Sequence, residues 1–103
     1  MEESPTAVDP GAEEAARAHA QAVVAGYIGA TVLGMTPDAL AKAMLLGNTT
    51  WIYFGSDVAP AGCDGEDCLF DITYQTDQGP FTLRDRFRRI EGEWKVVDIE
   101  RLD

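Results

Sequence analysis

A carboxylate set among phenylalanines is the arrangement in this chain best suited to chemistry. In "FTLRDRFR", residues 81 to 88, side chains of an extended strand alternate between faces. Phe81, Leu83, Asp85 and Phe87 therefore share one side, and Thr82, Arg84, Arg86 and Arg88 the other. A lone carboxylate on an apolar face is costly unless it is paired or protonated. If Glu91-Gly92 is a tight turn, Ile90 meets Glu93, Arg89 meets Trp94, Phe87 meets Val96 and Asp85 meets Asp98. A one-step slip of the turn brings Glu100 to Asp85 instead. Either register leaves two acids on one enclosed face, which raises one pKa and poises that group for acid or base work. The competing reading is structural, and it is the favoured one. A bulge carries Asp98 away, because Val97 and Ile99 also want burial, or Arg89 or Arg101 neutralises one of the acids. Tyr27, Tyr53 and Tyr74 are phenols that could donate to a site, though tyrosines so placed are more often core.

The remaining reactive side chains are few. His19 is the only histidine. Beside a cavity it would shuttle protons, but on the shoulder of an alanine stripe it reads as a partly exposed helix residue. Ser4 and Ser56 are the only serines, with no histidine nearby in sequence, so serine nucleophile chemistry has no support. There is no phosphate loop, no Gly-x-Ser-x-Gly and no HExxH, and no cofactor is expected. Cys63 and Cys68 enclose Asp64, Gly65, Glu66 and Asp67. Zinc needs about four nitrogen or sulfur ligands, which two thiols and a remote histidine do not supply, and the acids lack the spacing of a calcium loop, so no metal is expected. Redox pairs usually have two residues between the thiols, not four. A disulfide or two free thiols remain. The disulfide is the preferred reading and slightly favours an oxidising, extracytoplasmic compartment, if Met1 is an added start; otherwise the cytoplasm is expected.

Elements must position these groups. Asp9-Pro10 is a helix start, with Glu13 and Glu14 in the first turn. The run "EEAARAHAQAVVAGYIGATVL" predicts a long helix ending near residue 32, with Ala16, Ala20, Val23, Tyr27 and Ala30 as its apolar stripe. Thr36-Pro37-Asp38 opens a second, short helix, "DALAKAMLL", which Gly47-Asn48 stops. From there "TTWIYF", "CLFDITYQT", "FTLRDRFRRI" and "EWKVVDIERL" read as strands separated by turn clusters. Two helices followed by a four-strand meander predict an α+β fold, with the helices on one face of an antiparallel sheet. Residues 1 to 8 read as a flexible tail and 9 to 103 as one domain.

Composition narrows the partners. The net charge is −10, from 18 acids against eight bases. Such a chain repels phosphates, which argues against nucleic acid and anionic membrane surfaces. No stretch is apolar for long enough to span a membrane. Residues 57 to 77 hold six acids and no base, which reads as a solvated loop and edge; residues 84 to 103 hold six of each, which reads as sheet with cross-strand ion pairs.

The ending "FTLRDRFRRIEGEWKVVDIERL", with its Gly-x-Trp-x-Val hairpin, resembles the nuclear transport factor 2-like superfamily and its ketosteroid isomerase and SnoaL-type relatives. "TPDALAKAMLLGNTTWIYF" is similar to that family's short second helix entering a first strand. The resemblance covers residues 10 to 103 and implies a curved sheet wrapping the long helix into a cone; a cystatin-like sheet is the neighbouring alternative. Relatives of the isomerase type catalyse with an acid and a tyrosine or second acid lining the cone, which would make Asp85 a general base and Tyr27 or Asp98 a donor in an isomerase or cyclase. The chain is shorter than typical catalytic members. The leading expectation is therefore a binding or accessory domain, holding an apolar small molecule or a protein segment against Tyr27, Trp51, Tyr53, Phe70, Tyr74, Phe87 and Trp94. A third reading uses the Arg84, Arg86 and Arg88 face as a protein-interaction or homodimer surface.

Overall fold

A computed structural model describes residues 9 to 46 and 51 to 102. The tail expected over residues 1 to 8, the Gly47-Asn48 stop and Thr49-Thr50 lie outside these residues. Three helices, α1 (Pro10–Ala25), α2 (Ile28–Leu33) and α3 (Pro37–Leu46), precede four strands, β1 (Tyr53–Asp64), β2 (Asp67–Thr76), β3 (Gly79–Ile90) and β4 (Glu93–Arg101). The strands form one antiparallel sheet in the order β1-β2-β3-β4. The α+β reading is what the chain shows.

Helix α1 begins as the sequence indicates. The Asp9 carboxylate accepts a hydrogen bond from the Gly11 N–H at 2.7 Å, and Pro10 takes the first helical position. The helix ends earlier than expected. Gly26 adopts a left-handed conformation (φ 77°), and its N–H and that of Tyr27 fold back onto the carbonyls of Ala22 and Val23. The stretch expected to prolong the helix to residue 32 is a separate one, α2, which buries nothing and leaves Tyr27 67% exposed. The apolar stripe is correspondingly displaced: Ala12, Ala16 and Ala20, one turn apart, are wholly buried, while Tyr27 and Ala30 face solvent.

That stripe lies across the sheet's inner face, where α1 touches β1, β2 and β4. Alanine lets the helix approach closely, and the space is filled from the sheet by Phe70, Ile72, Phe87 and Val96, each at most 1% exposed. Two edge-to-face aromatic sets complete it: Phe70 on Phe87 at 5.6 Å, and Tyr53 on Tyr74 at 5.5 Å with Trp51 on Phe81 at 5.5 Å. Helix α3 packs on β4 through Ala39, which is buried, and half-buried Leu40 and Ala43. Between α2 and α3 the chain runs beside β4: Thr36 N–H donates to the Val96 carbonyl at 2.9 Å, and Val96 N–H to that of Gly34 at 2.8 Å.

The β3–β4 hairpin turns through Glu91 and Gly92, both with positive φ, as a two-residue turn requires. Its pairing matches the sequence expectation from Ile90↔Glu93 through Phe87↔Val96. There it departs, because the register shifts between Arg86 and Phe87. Val97 is the extra residue, and beyond it Arg86 pairs with Asp98, Asp85 with Ile99 and Arg84 with Glu100. The bulge keeps both Val96 and Ile99 on the buried side.

Strand β1 is longer than "TTWIYF" implied and runs on to Asp64, through Pro60 and two register shifts. A proline and irregular pairing are tolerated on a strand with only one neighbour, which β1 is among the described residues. The acidic stretch thus contributes an edge strand as well as turns.

Candidate functional site

Strand β3 positions the polar groups, and its two faces treat them differently. On the inner face Asp85 is 2% exposed, with buried Phe81, Leu83 and Phe87 beside it. Burial is the main cause that pushes its carboxyl up to about 8, with a smaller contribution from the Asp71 charge. The acid expected opposite it is absent. The Val97 bulge turns Asp98 outward, where the Lys42 ammonium donates to Oδ1 at 2.8 Å and holds the carboxyl below its usual range. Glu100 stands opposite Arg84 and is exposed. Neither acid therefore pairs with Asp85, and the two-acid site in either register is corrected by the bulge. Nor do the expected arginines reach it: Arg89 lies over the Trp94 ring at 5.4 Å and Arg101 over Phe81 at 5.1 Å.

The group that does face Asp85 is His19, whose Nε2 lies 3.8 Å from Oδ2. The sequence expectation of a partly exposed shoulder is overturned, since His19 is 9% exposed and its ring stands edge-on to Phe87. It follows Ala16 by three residues, which on a helix puts it on the same, buried face. Burial lowers the imidazole to about 4. With Asp85 raised to about 8 and His19 lowered to about 4, both groups are neutral at pH 7, and the titratable proton sits on the carboxyl. His19 Nδ1 and Asp85 Oδ1 have no hydrogen-bond partner among the described residues. Tyr74 belongs to the same interior: it is 3% exposed, and burial first, then the Asp85 charge, push its phenol well above its ordinary value.

The other aromatic candidates divide. Phe87 and Tyr74 are core; Trp51, Tyr53 and Trp94 are half-buried against it; Tyr27 stands apart at the surface, away from Asp85's enclosure. Asp85 lines neither of two surface grooves. One lies between α1 and β1, the other above Asp64, Glu66, Asp67, Arg86 and Arg88.

On the outer face of β3, each arginine has a carboxylate. Arg84 grips Asp71 with two hydrogen bonds of 2.7 and 3.0 Å. Arg88 grips Asp67 likewise at 2.7 and 2.9 Å, and Arg86 adds a third at 2.8 Å. The Arg88 hydrogen bond is the largest cause holding Asp67 down to about 2. In sequence Asp67 is one of three acids between cysteines; its role appears only once β2 sets it beside Arg88. Cys63 and Cys68 are direct cross-strand partners at disulfide distance, joined by a turn of Gly65 and Glu66.

This architecture defines an α+β domain, three helices against a four-strand antiparallel meander. No family model, curated protein or solved structure matches the chain.

Proposed function

We propose that this chain is an accessory binding domain of the cone-shaped, nuclear transport factor 2-like type, which works by contacting protein rather than by enclosing and converting a small molecule. The helix-then-meander order and the Gly-x-Trp-x-Val hairpin support that kinship. One observation carries the functional reading. Phe70, Ile72, Phe87, Val96 and Asp85 fill the space between α1 and the sheet, while α2, α3 and their flanks leave Tyr27, Ile28, Leu33, Met44 and Leu45 between 67% and 85% exposed. Exposed apolar side chains in such number mark contact surfaces. From Ala18 to Ser56 the only charged side chains besides His19 are Asp38 and Lys42, in a chain of net charge −10. Two copies can therefore meet through α2 and α3 with little repulsion, and a homodimer through these helices is part of the proposal. The Arg84, Arg86 and Arg88 face is the weaker dimer surface, because its guanidiniums are already held by Asp71 and Asp67.

Sedimentation across a wide concentration range tests the homodimer: the parent should associate reversibly, and Leu33→Lys with Leu45→Lys should stay monomeric. A parent that is monomeric throughout would remove it. The rival reading, an isomerase or cyclase with Asp85 as base, is favoured by the displaced pKa values of Asp85 and His19. A thermal-shift screen of hydrophobic small molecules decides between the two. The binding reading expects no compound to stabilise the parent more than Asp85→Asn; one that does would establish the enzyme or small-ligand alternative.

A further inference from the structure

The sheet has two edges, and they are finished differently. Along β4 the Gly34–Thr36 connection supplies a hydrogen-bonded neighbour, and the Lys95 ammonium donates to the Leu33 carbonyl at 2.7 Å. Along β1 no described strand pairs on the side away from β2. A groove of about 360 Å³ opens there, walled by Arg17, Gln21 and Val24 of α1 and floored by residues 55 to 58 of β1. Those four residues are consecutive, although their side chains alternate between faces. The groove must therefore expose the edge of the strand, main chain included, and not one face of it. Every second residue of an edge strand directs its N–H and C=O away from its neighbour, so donors and acceptors with no strand partner among the described residues line this floor.

We propose that this groove takes an extended, basic segment of a partner protein, which adds to β1 as a fifth strand. The inference rests on the reading above, that the domain works by binding protein. Only a strand satisfies alternating main-chain donors and acceptors at strand spacing, and this mode of recognition is general. Gly55 offers open space: a Cβ placed on it would have no neighbour within 4 Å, so another backbone can come close. Phe54, at 67% exposure, stands next to it in sequence as an apolar contact. The register shift between Tyr53 and Gly55 and the break at Pro60 confine addition to the regular stretch of β1 from residue 55 to 59.

Charge selects the occupant. The Arg17 guanidinium is taken by Glu13 at 2.7 Å, while Asp57 makes no ion pair among the described residues. Counting Glu13, which holds Arg17, the charges around the groove sum to −1, in a chain that is itself at −10. A lysine or arginine beside the added strand meets Asp57. A second copy pairing edge to edge would bring its own Asp57 and its own excess of acid, which disfavours it.

The test pans a random heptapeptide library on the full chain and on Asp57→Lys in parallel, then titrates the enriched peptide into the parent while reading amide NMR shifts. The expected peptides carry lysine or arginine among β-branched residues. Their shifts should concentrate at residues 55 to 58, Gln21 and Val24, and Asp57→Lys should weaken binding roughly tenfold or more. The same peptide with alternate amides N-methylated should not bind. Absence of enrichment, shifts located elsewhere, or equal binding after N-methylation would each overturn the proposal, as would protection of these amides by self-association in the peptide-free chain. The Leu33→Lys, Leu45→Lys protein should still bind the peptide. If it does not associate with itself but the groove stays silent, the groove assignment fails and the homodimer reading stands.

Discussion

Strand β3 carries charge on both faces, and the two faces reach opposite outcomes. Outside, Arg84, Arg86 and Arg88 stand across from Asp71 and Asp67, and Asp67 is driven down to about 2 although it is 4% exposed. Inside, Asp85 is 2% exposed and is driven up to about 8 by burial first and the Asp71 charge second. Both are covered, but not to the same depth: Asp67 lies near the surface under half-exposed Arg86 and Arg88, while Asp85 lies in the core. Depth and partners both differ, and they act together: guanidinium hydrogen bonds hold the shallow acid charged, while desolvation keeps the deep one protonated.

The comparison is broken most strongly by removing Asp67. Its carboxylate loses a proton more readily in the fold (about 2) than when unfolded (3.8), so the stability it contributes is present above 3.8 and is lost as pH falls toward 2. Asp67→Ala should cost about 2 to 3 kcal/mol in urea unfolding at neutral pH, with the gap to the parent closing in acid.

The inner face answers in the opposite pH direction. In the fold the Asp85–His19 pair holds one proton from about pH 4 to about 8; unfolded, it holds one only from 3.8 to 6.5. Above 6.5 the folded chain therefore binds more protons than the unfolded one, and stability declines as pH rises, by about 2 kcal/mol in all by pH 8. Below 6.5 the two counts agree, and the pair contributes no slope until about 4. Asp85→Asn should abolish the decline, as read from unfolding midpoints at pH 6 and pH 8.5. A decline that persists in this variant would place its origin elsewhere.

At the far end of β1 and β2, Cys63 and Cys68 sharpen the contrast between covalent and ionic ties. Closing so short a loop stabilises by about 2 kcal/mol in the chain-entropy model, so the double serine variant should lose that amount at every pH. Protein purified without reductant should show no titratable thiol, and two reactive thiols would remove the cross-link. The smallest effect belongs to Lys42 and Asp98, a pair about half exposed on both sides. Lys42→Ala should cost about 0.5 kcal/mol or less, and less again in high salt.

How much of this the sequence disclosed varies with the physical signal. The alternation in "FTLRDRFR" placed Asp85 inside and the arginines outside, because a strand that covers a core on one side must segregate its faces. Glu91-Gly92 marked the hairpin, because positive φ favours glycine. The bulge at Val97 was legible only as one alternative, from the wish of Val97 and Ile99 for burial: Val96, Val97 and Ile99 all suit a strand, and only packing decides which two point inward. That one residue turned an expected acid pair into an aspartate facing a histidine. The helix break was half legible. Gly26, Gly29 and Gly34 all weaken a helix, but only Gly26 takes the left-handed turn. His19 went unrecognised as interior because a polar ring three residues after Ala16 was read as the shoulder of the stripe and not as part of it.

The claim on which the most depends is that water does not reach Asp85. A carboxyl-carbon NMR titration of the labelled parent, with Asp85→Asn used to assign the signal, tests it directly. The enclosed interior predicts a midpoint near 8. A midpoint near 4 would show a solvated, ionised carboxylate, contradict the filled core, and return the domain to the class of open pockets.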